Sequence, residues 1–187
     1  MRIIAGQYRG RKIKSPPLLK VRPTSDRLRE TLFNVVAPRV IGARVLDLCS
    51  GSGAIGIEAL SRDAAKVTFV DRSRKMCGLI EANLDLVRAP EEQTTVVHAD
   101  AADFLRHSMR DSTVQPWDLI FFDPPYDSDY SRVLELIGSN VSLLLSDGAL
   151  VVAEHHHKTE LPNQTGQISR KRILKQGDSA LSFYEKI

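Results

Sequence analysis

Along most of this chain, short apolar runs alternate with segments in which apolar residues recur at helical spacing. The runs predict strands and the spaced segments predict helices. The predicted strands cover residues 45–48, 67–70, 95–98, 118–122 and 149–153, and the clearest predicted helices cover residues 55–60, 73–87 and 130–137. This alternation predicts an α/β fold with a doubly wound, mostly parallel sheet.

The two ends of the chain have a different pattern of apolar and polar residues. Residues 2–14 predict a small hairpin with exposed basic side chains, and the prolines of residues 15–23 predict a linker. A helix is expected from the capping candidates at 24–26 to Pro38, with Arg27 and Arg29 on faces away from its apolar stripe. Residues 168–185 predict an antiparallel hairpin around Gln176-Gly177-Asp178.

Together these elements predict a Rossmann-like architecture with a seven-stranded sheet. We expect a basic hairpin extension in residues 1–20 and a single larger domain in residues 21–187. A chain of 187 residues with 42% hydrophobic content is long enough to form one full core.

Charge is distributed unevenly along the chain. Residues 1–44, here called the basic head, contain eleven Lys or Arg against two acids, a net charge of +9, and the remainder carries −6. A basic block beside a ligand-binding domain is typical of a protein that binds a phosphate backbone. The candidate RNA-contacting residues are Arg2, Arg9, Arg11, Lys12, Lys14, Arg22 and Arg27.

Several other classes of protein are disfavoured. No apolar run approaches the roughly 20 residues that span a bilayer, so a soluble cytoplasmic protein is expected. The two cysteines form neither a disulfide framework nor a metal-binding spacing. Residues 155–157 are three adjacent histidines, but neighbours in an extended chain point to opposite sides, so we interpret them as a polar loop and expect no metal.

A glycine-rich turn after the first strand carries the strongest chemical signal. Gly51, Gly53 and Gly56 have the G-x-G-x-x-G spacing, in which the lack of Cβ atoms lets a nucleotide-like ligand approach the backbone. Asp71 ends the next strand and could accept hydrogen bonds from both hydroxyls of a ribose. Strand, turn, helix, strand and terminal acid together indicate an adenosine-containing cofactor.

Four acids lie at or near the ends of the predicted parallel strands. Because ligands of doubly wound sheets bind at the carboxyl ends of the strands, we expect these acids to converge on one site. They are Asp47, Asp71, Asp100 and Asp123.

The last of these acids opens the sequence Asp123-Pro124-Pro125-Tyr126. Two prolines fix the backbone and remove two N–H donors, so the loop presents acceptors beside an aromatic ring. Such a loop suits a planar group that donates two hydrogens, such as a nucleobase amine or a side-chain amide. Holding those hydrogens on acceptors favours attack by the nitrogen on the methyl group of a sulfonium cofactor.

The glycine-rich turn together with Asp-Pro-Pro-Tyr resembles the class I S-adenosylmethionine-dependent methyltransferases that modify amino nitrogens. A more specific resemblance, to the RsmD family, covers nearly the whole chain. The motifs that carry it are Arg-Ile-Ile-Ala-Gly-Gln-Tyr-Arg-Gly-Arg-Lys-Ile at the N-terminus, Arg-Pro-Thr-Ser-Asp-Arg from position 22, Leu-Asp-Leu from position 46 and Glu-Ala-Leu-Ser-Arg from position 58. Members of that family are guanine-N2 methyltransferases of bacterial small-subunit (16S) ribosomal RNA.

The resemblance implies roles for individual residues. The methionine end of S-adenosylmethionine would lie against Asp47 and the turn Gly51-Ser52-Gly53. Asp71 would hold the ribose, and Asp100 and Ala101 would meet the adenine. The other predicted cofactor-binding residues are Cys49, Ser50 and Arg72. The loop of Asp123, Pro124, Pro125 and Tyr126 would receive the guanine. The implied partner is 16S rRNA, within the small subunit or its assembly intermediate, bound by a monomer.

One hypothesis goes beyond the family. Guanine presents two adjacent donors, N1–H and N2–H, and one carboxylate can accept both, so Asp123 is expected to help select guanine over adenine. Three other functions stay open: a protein glutamine methyltransferase, a nicotinamide-dependent dehydrogenase, and a catalytically silent RNA-binding assembly module.

Overall fold

The computed structural model describes residues 1–16, 26–125 and 129–187. Its strands are β1 (Arg44–Leu48), β2 (Lys66–Asp71), β3 (Thr94–His98), β4 (Trp117–Phe122), β5 (Leu145–His156), β6 (Gln164–Thr165), β7 (Ile168–Gln176) and β8 (Ser179–Lys186). Its α-helices are α1 (Asp26–Val36), α2 (Ala54–Ser61), α3 (Arg74–Val87), α4 (Ala101–Ser108), α5 (Tyr130–Ser139) and α6 (Val141–Leu144). The predicted α/β class is confirmed.

All eight strands form one sheet in the order β3-β2-β1-β4-β5-β8-β7-β6. The first five strands in this order are parallel, and the predicted C-terminal hairpin, β7 with β8, is antiparallel. The eighth strand, beyond the seven expected, is the two-residue β6 at the far margin. Because β1 to β5 run in one direction, their carboxyl ends lie along one side of the sheet, which we call the carboxyl edge.

The hairpin turn also lies at the carboxyl edge. At the end of β5, His156 pairs with Ser179 of β8, and Ser179 pairs with Gln176 of β7. Strand β5 is longer than the predicted residues 149–153 because it continues through Ser146-Asp147-Gly148, which breaks the apolar pattern. The hairpin therefore brings the C-terminal end of β7 to the same side as the acids at the ends of β1, β2 and β4.

Two apolar cores cover the two faces of the sheet. One contains the buried side chains of α1, α2 and α3, and the other those of α4, α5 and α6. Within the described ranges, no helix is both long enough and apolar enough to cross a membrane.

The N-terminal segment packs into the first of these cores. Ile3, Tyr8 and Ile13 are buried there. The segment folds back on itself through a bridge between Arg2 and Lys12, so a hairpin forms, although only this single bridge is regular. The domain boundary proposed at residue 20 lies outside the described residues.

The sequence-based placement of Arg29 on a face away from the core is wrong. Its side chain is fully buried and lies between the N-terminal segment and α2. The guanidinium donates to the Arg2 carbonyl at 2.6 Å and lies 3.7 Å from the buried carboxylate of Glu58. A stripe of apolar residues could not reveal this, because a buried arginine depends on a partner from a distant part of the chain.

Candidate active site at the carboxyl edge

The turn between β1 and α2 has an unusual backbone. Cys49, Gly51 and Gly53 have positive φ angles of 63°, 55° and 75°, so the chain reverses sharply and α2 begins at Ala54. Ser50 fastens the turn to β2, because its hydroxyl accepts from the Val70 N–H at 3.0 Å. A positive φ at a non-glycine residue such as Cys49 is a mark of a functional turn.

Two of the three glycines, Gly51 and Gly56, serve different purposes. A Cβ on Gly51 would meet open space, so the backbone there is accessible to a ligand. A Cβ on Gly56 would lie 2.2 Å from the ring of Phe69, so this glycine allows α2 to pack closely on β2. This division of roles is the one that a nucleotide-binding turn requires.

The four predicted acids lie near Cys49. Burial raises the pKa of the Cys49 thiol to about 12, and the negative charges of Asp71, Asp123, Asp47 and Asp100 each raise it further. Four carboxylates act on one side chain only if they lie near it, so the strand ends bring these acids together as expected. Cys49 is a protonated thiol at neutral pH, which makes it unsuitable as a nucleophile.

Asp47 is the most deeply placed of these acids. Burial raises the pKa of its carboxyl to about 7, the charge of Asp71 adds to that, and a hydrogen bond from the Gly56 N–H, at 2.9 Å, opposes it. The group is therefore poised between its charged and neutral forms near physiological pH.

Asp71 and Asp100 hold the backbone around the site. Asp71 accepts from the Gly51 N–H at 2.9 Å and from the Ser73 N–H at 2.8 Å, one on each oxygen. Asp100 caps α4 by accepting from the Ala102 N–H at 3.0 Å. Each carboxylate oxygen has a second lone pair, so both side chains can still accept from a ligand.

The charge of the cluster suits a cationic ligand. Among the described residues, no Lys or Arg forms an ion pair with Asp47, Asp71 or Asp100. Uncompensated carboxylates beside an open glycine backbone fit the sulfonium, ammonium and ribose of S-adenosylmethionine, since all three favour anionic or acceptor groups.

The loop of the predicted catalytic residues, called the catalytic loop below, begins directly beyond β4. Asp123 is half-buried, and its N–H donates to the Leu48 carbonyl at 3.3 Å, which ties the loop to the end of β1. Pro124 is buried and Pro125 is exposed. Tyr126, the predicted stacking residue, lies outside the described residues.

The remaining cofactor candidates lie around this turn. Arg72 is exposed and follows β2 directly, and Ala101 is the buried first residue of α4. Ser52 is buried, and its carbonyl accepts from the Asn83 amide at 2.9 Å.

Asn83 is a residue that the sequence analysis missed. Its amide also donates to the Lys14 carbonyl at 3.0 Å, and its oxygen accepts from the Lys14 N–H at 2.8 Å. It therefore joins the N-terminal segment to the glycine-rich turn at Ser52. The sequence signal for this residue is an amide side chain within the apolar stripe of α3. The structure buries that position fully.

The described candidates for RNA contact are exposed. They are Arg2, Arg9, Arg11, Lys12, Lys14 and Arg27, whereas Arg22 lies outside the described residues. Arg11 differs from the others because its guanidinium donates to the Val87 carbonyl and stacks 5.1 Å from the Tyr8 ring centre.

The interpretation of the three histidines as a polar loop is wrong for the first two. His155 and His156 belong to β5, and His155 is buried, with Nε2 at 2.9 Å from the Ser182 hydroxyl. The rings of His156 and His157 stack at 4.5 Å rather than pointing to opposite sides, because the strand ends between them.

These two rings lie near the hairpin turn. Ligand atoms of His156, His157 and Asp178 all lie within 4.8 Å of one another. The Lys158 N–H donates to His156 Nδ1, which places the proton of a neutral ring on Nε2 and opposes metal binding there. The absence of a metal stays a prediction.

Comparisons with known proteins support the same picture. The family model described as Conserved hypothetical protein 95 matches residues 1–185. Ribosomal RNA small subunit methyltransferase D of Escherichia coli K12 is 36% identical over 191 aligned positions, covering 100% of this chain and 90% of the relative. A hypothetical protein of Thermus thermophilus superposes with a TM-score of 0.81 at 26% identity, covering 98% of each chain.

A more distant structure extends the likeness of the fold. The SAM-dependent methyltransferase from Agrobacterium tumefaciens has a TM-score of 0.64 at 19% identity, covering 89% of this chain and 63% of its own. This chain therefore belongs to the Conserved hypothetical protein 95 family, together with the relatives named ribosomal RNA small subunit methyltransferase D.

Proposed function

We propose that this chain transfers a methyl group from S-adenosylmethionine to the exocyclic N2 of a guanine in small-subunit (16S) ribosomal RNA. The observation that carries the proposal is the convergence of Asp47, Asp71, Asp100 and Asp123 around Cys49. Three of these acids suit the cofactor, and the fourth begins the loop that suits an amino nitrogen. The relatives named as small-subunit rRNA methyltransferases support the choice of RNA.

The cofactor, when bound, would supply an electrophilic methyl group. The chain would supply the orientation. Asp123 would accept hydrogens from the guanine N1 and N2 atoms, which raises electron density on N2 and holds its lone pair toward the methyl group. The fixed backbone of Pro124 and Pro125 would keep that carboxylate in place.

A base within folded RNA is normally stacked, so the target guanine would have to turn out of its stack to reach the site. The exposed basic residues of the N-terminal segment would hold the phosphates, while the pocket would select the base. We propose that the protein works as a cytoplasmic monomer on the small subunit or its assembly intermediate.

The test is methyl transfer from tritiated S-adenosylmethionine to small subunits from a strain that lacks this gene, followed by nucleoside analysis. The expected product is N2-methylguanosine in the 16S rRNA. Label in glutamine would favour the protein methyltransferase, and no label would favour the silent assembly module. Calorimetric titration with S-adenosylhomocysteine against NAD separates the methyltransferase from a dehydrogenase.

Affinity for S-adenosylhomocysteine is expected to fall as the solution becomes more acidic than pH 7. Because the pKa of Asp47 is raised to about 7, its carboxyl group must lose a proton before it can form an ion pair with the ammonium group of the ligand. The dissociation constant should rise roughly tenfold for each pH unit below that value. Calorimetry from pH 5.5 to 8 measures this, and Asp47→Asn should bind weakly with no such slope.

The stability of the free protein should change in the opposite direction. Because the fold raises the pKa of Asp47, the protonated group favours folding fully below its unfolded pKa, and this contribution is lost as the pH rises through about 7. A ligand dissociation constant that is flat between pH 5.5 and 8 in the wild-type protein would contradict the role of Asp47.

Arg9 and Arg11 are expected to respond differently to removal of their charge. Arg9→Gln should lower the salt slope of RNA binding by roughly one unit and leave stability unchanged, since its exposed side chain has no bond to the described residues. Arg11→Gln should also cost about 1 kcal/mol of stability, because it loses the Val87 hydrogen bond and the Tyr8 stacking. Filter binding measures the salt slope of RNA binding, and urea unfolding measures the stability. Identical stability of the two variants would contradict the structural role of the Arg11 side chain.

A further inference from the structure

Strand β7 carries a second concentration of positive charge, far from the basic head in sequence. Residues 168–176 contain four Lys or Arg and no acid. Arg170 is held by the protein, because it donates to the Leu161 carbonyl and to the Asn163 side chain. The other three are exposed and form no ion pair with the described residues. They are Lys171, Arg172 and Lys175.

The outer side of β7 has no strand partner along most of this basic stretch. Strand β6 pairs with Ile168 and Ser169, and the Arg170 N–H donates to the Asn163 carbonyl at 2.7 Å, so among the described residues β7 pairs only with β8 beyond Arg170. The register shifts between Arg170 and Arg172, which identifies Lys171 as the residue of a bulge. Three cations therefore lie along this margin, and strand alternation places Arg172 and Lys175 on opposite faces of the sheet, so that a strand passing the margin can contact both.

The register of the sheet relates this margin to the catalytic loop. Phe122, the last residue of β4, is level with Ala153, Ser182 and Ile173 on the next three strands. Lys175 lies two residues beyond Ile173, toward the carboxyl edge, so it is level with the loop that begins at Asp123. Three strand spacings separate β4 from β7, or about 14 Å, which is about four nucleotides of a stacked strand.

The opposite half of the carboxyl edge cannot serve this purpose. Asp71 and Asp100, at the ends of β2 and β3, concentrate negative charge there, which repels phosphate. When a base is bound in the Asp123 loop, the flanking strand of the nucleic acid is therefore expected to run across β5 and β8 toward β7. On this side His155, directly level with Lys175 through Ala180, has a pKa lowered by burial first and then by the positive charges of Arg170 and Lys175.

We infer that the outer margin of β7, through Lys171, Arg172 and Lys175, is a second phosphate-binding surface that holds the ribosomal RNA strand flanking the target base. This rests on the proposed function, since it assumes that RNA is the substrate. A strand edge with lysines also discourages pairing between molecules, so protection against aggregation is the alternative use of these charges.

The test replaces all three residues by glutamine, which removes charge and keeps most of the aliphatic stem. The matched control is Lys66→Gln/Lys75→Gln/Arg110→Gln, which removes the same charge from exposed residues elsewhere on the described surface. Binding to 16S rRNA from a strain lacking this gene is measured between 50 and 250 mM salt.

The β7 variant is expected to bind roughly 10- to 100-fold more weakly at 0.1 M salt, with a salt slope smaller by about two units. Its KM for RNA should rise while kcat at saturating RNA and affinity for S-adenosylhomocysteine are kept, and the control should match the wild type. A wild-type salt slope in the β7 variant overturns the inference. If such a variant also aggregates more readily, the charges serve to prevent pairing between molecules and not to bind RNA. A wild-type protein that binds this RNA but methylates none of it would instead contradict the proposed function.

Discussion

Asp123→Asn is expected to lower the rate of methyl transfer by about 100- to 1,000-fold. The side chain keeps its size and place after β4, but one of its two acceptor oxygens becomes an NH₂ donor that faces the donors of guanine. Single-turnover transfer of labelled methyl to the small subunit measures the chemical step without product release. The dissociation constant of S-adenosylhomocysteine should stay within about twofold of wild type, because the product lacks the sulfonium charge.

The matched control for this variant is Asp129→Asn. Asp129 follows that loop in sequence, is exposed, and caps α5 by accepting from the Ser131 N–H at 3.0 Å. Asparagine can accept the same bond, so the cap is retained while one negative charge is removed. This variant should keep wild-type activity. Full turnover and unchanged base preference in Asp123→Asn would contradict the proposal that this carboxylate binds guanine.

Position 123 also tests the selection of the base. Adenine offers a donor beside an acceptor, a mixed edge that an asparagine amide matches better than a carboxylate does. The residual activity of Asp123→Asn should therefore favour guanine over adenine less strongly than the wild-type activity does. Transfer to short RNAs that carry either base at the target position measures this ratio.

The carboxyl edge could be predicted from the sequence because its parts are local. An apolar run fixes where a strand ends, and parallel strands must then place Asp47, Asp71 and Asp123 on one side. The glycine spacing similarly fixes the turn before α2, so both the fold and the meeting of the acids followed from short segments.

Contacts between distant segments could not be predicted in this way. Arg29 and Asn83 are buried polar side chains that each bond the backbone of the N-terminal segment, and no periodicity encodes such pairs. His155 is similar, because its partner Ser182 belongs to a strand that pairs with β5 only in the folded sheet.

The basic margin of β7 was missed for another reason. When the chain is divided at residue 44, the cations of β7 fall in the second segment. The acids of that segment outnumber its cations, and its net charge is −6. Only the register of β7 against β8 and β5 shows that Lys175 lies level with the catalytic loop. Charge therefore has to be counted by strand position as well as by sequence segment.

The N-terminal segment is expected to depend on Glu58. This fully buried carboxylate accepts from the Ile4 N–H at 2.8 Å and the Ala5 N–H at 3.0 Å, and it forms an ion pair with Arg62 at 2.9 Å. It also lies 3.7 Å from the buried guanidinium of Arg29, which forms a closer ion pair, at 3.0 Å, with the half-exposed Asp26. One side chain of α2 thus holds both the backbone of the segment and two cations.

Glu58→Gln should therefore lower the free energy of unfolding by about 3 kcal/mol, because it removes one of the two carboxylates beside the buried charge of Arg29 and leaves only the half-exposed Asp26. Urea unfolding measures the loss. The double variant Arg29→Met/Glu58→Gln removes both buried charges, so it should regain at least half of that stability, since uncharged side chains of similar volume carry no desolvation penalty. A single variant that loses less than about 1 kcal/mol, or a double variant no more stable than the single, would mean that Asp26 compensates the Arg29 charge without Glu58. The segment would then be fixed mainly by Ile3, Tyr8 and Ile13, and not by this ion pair.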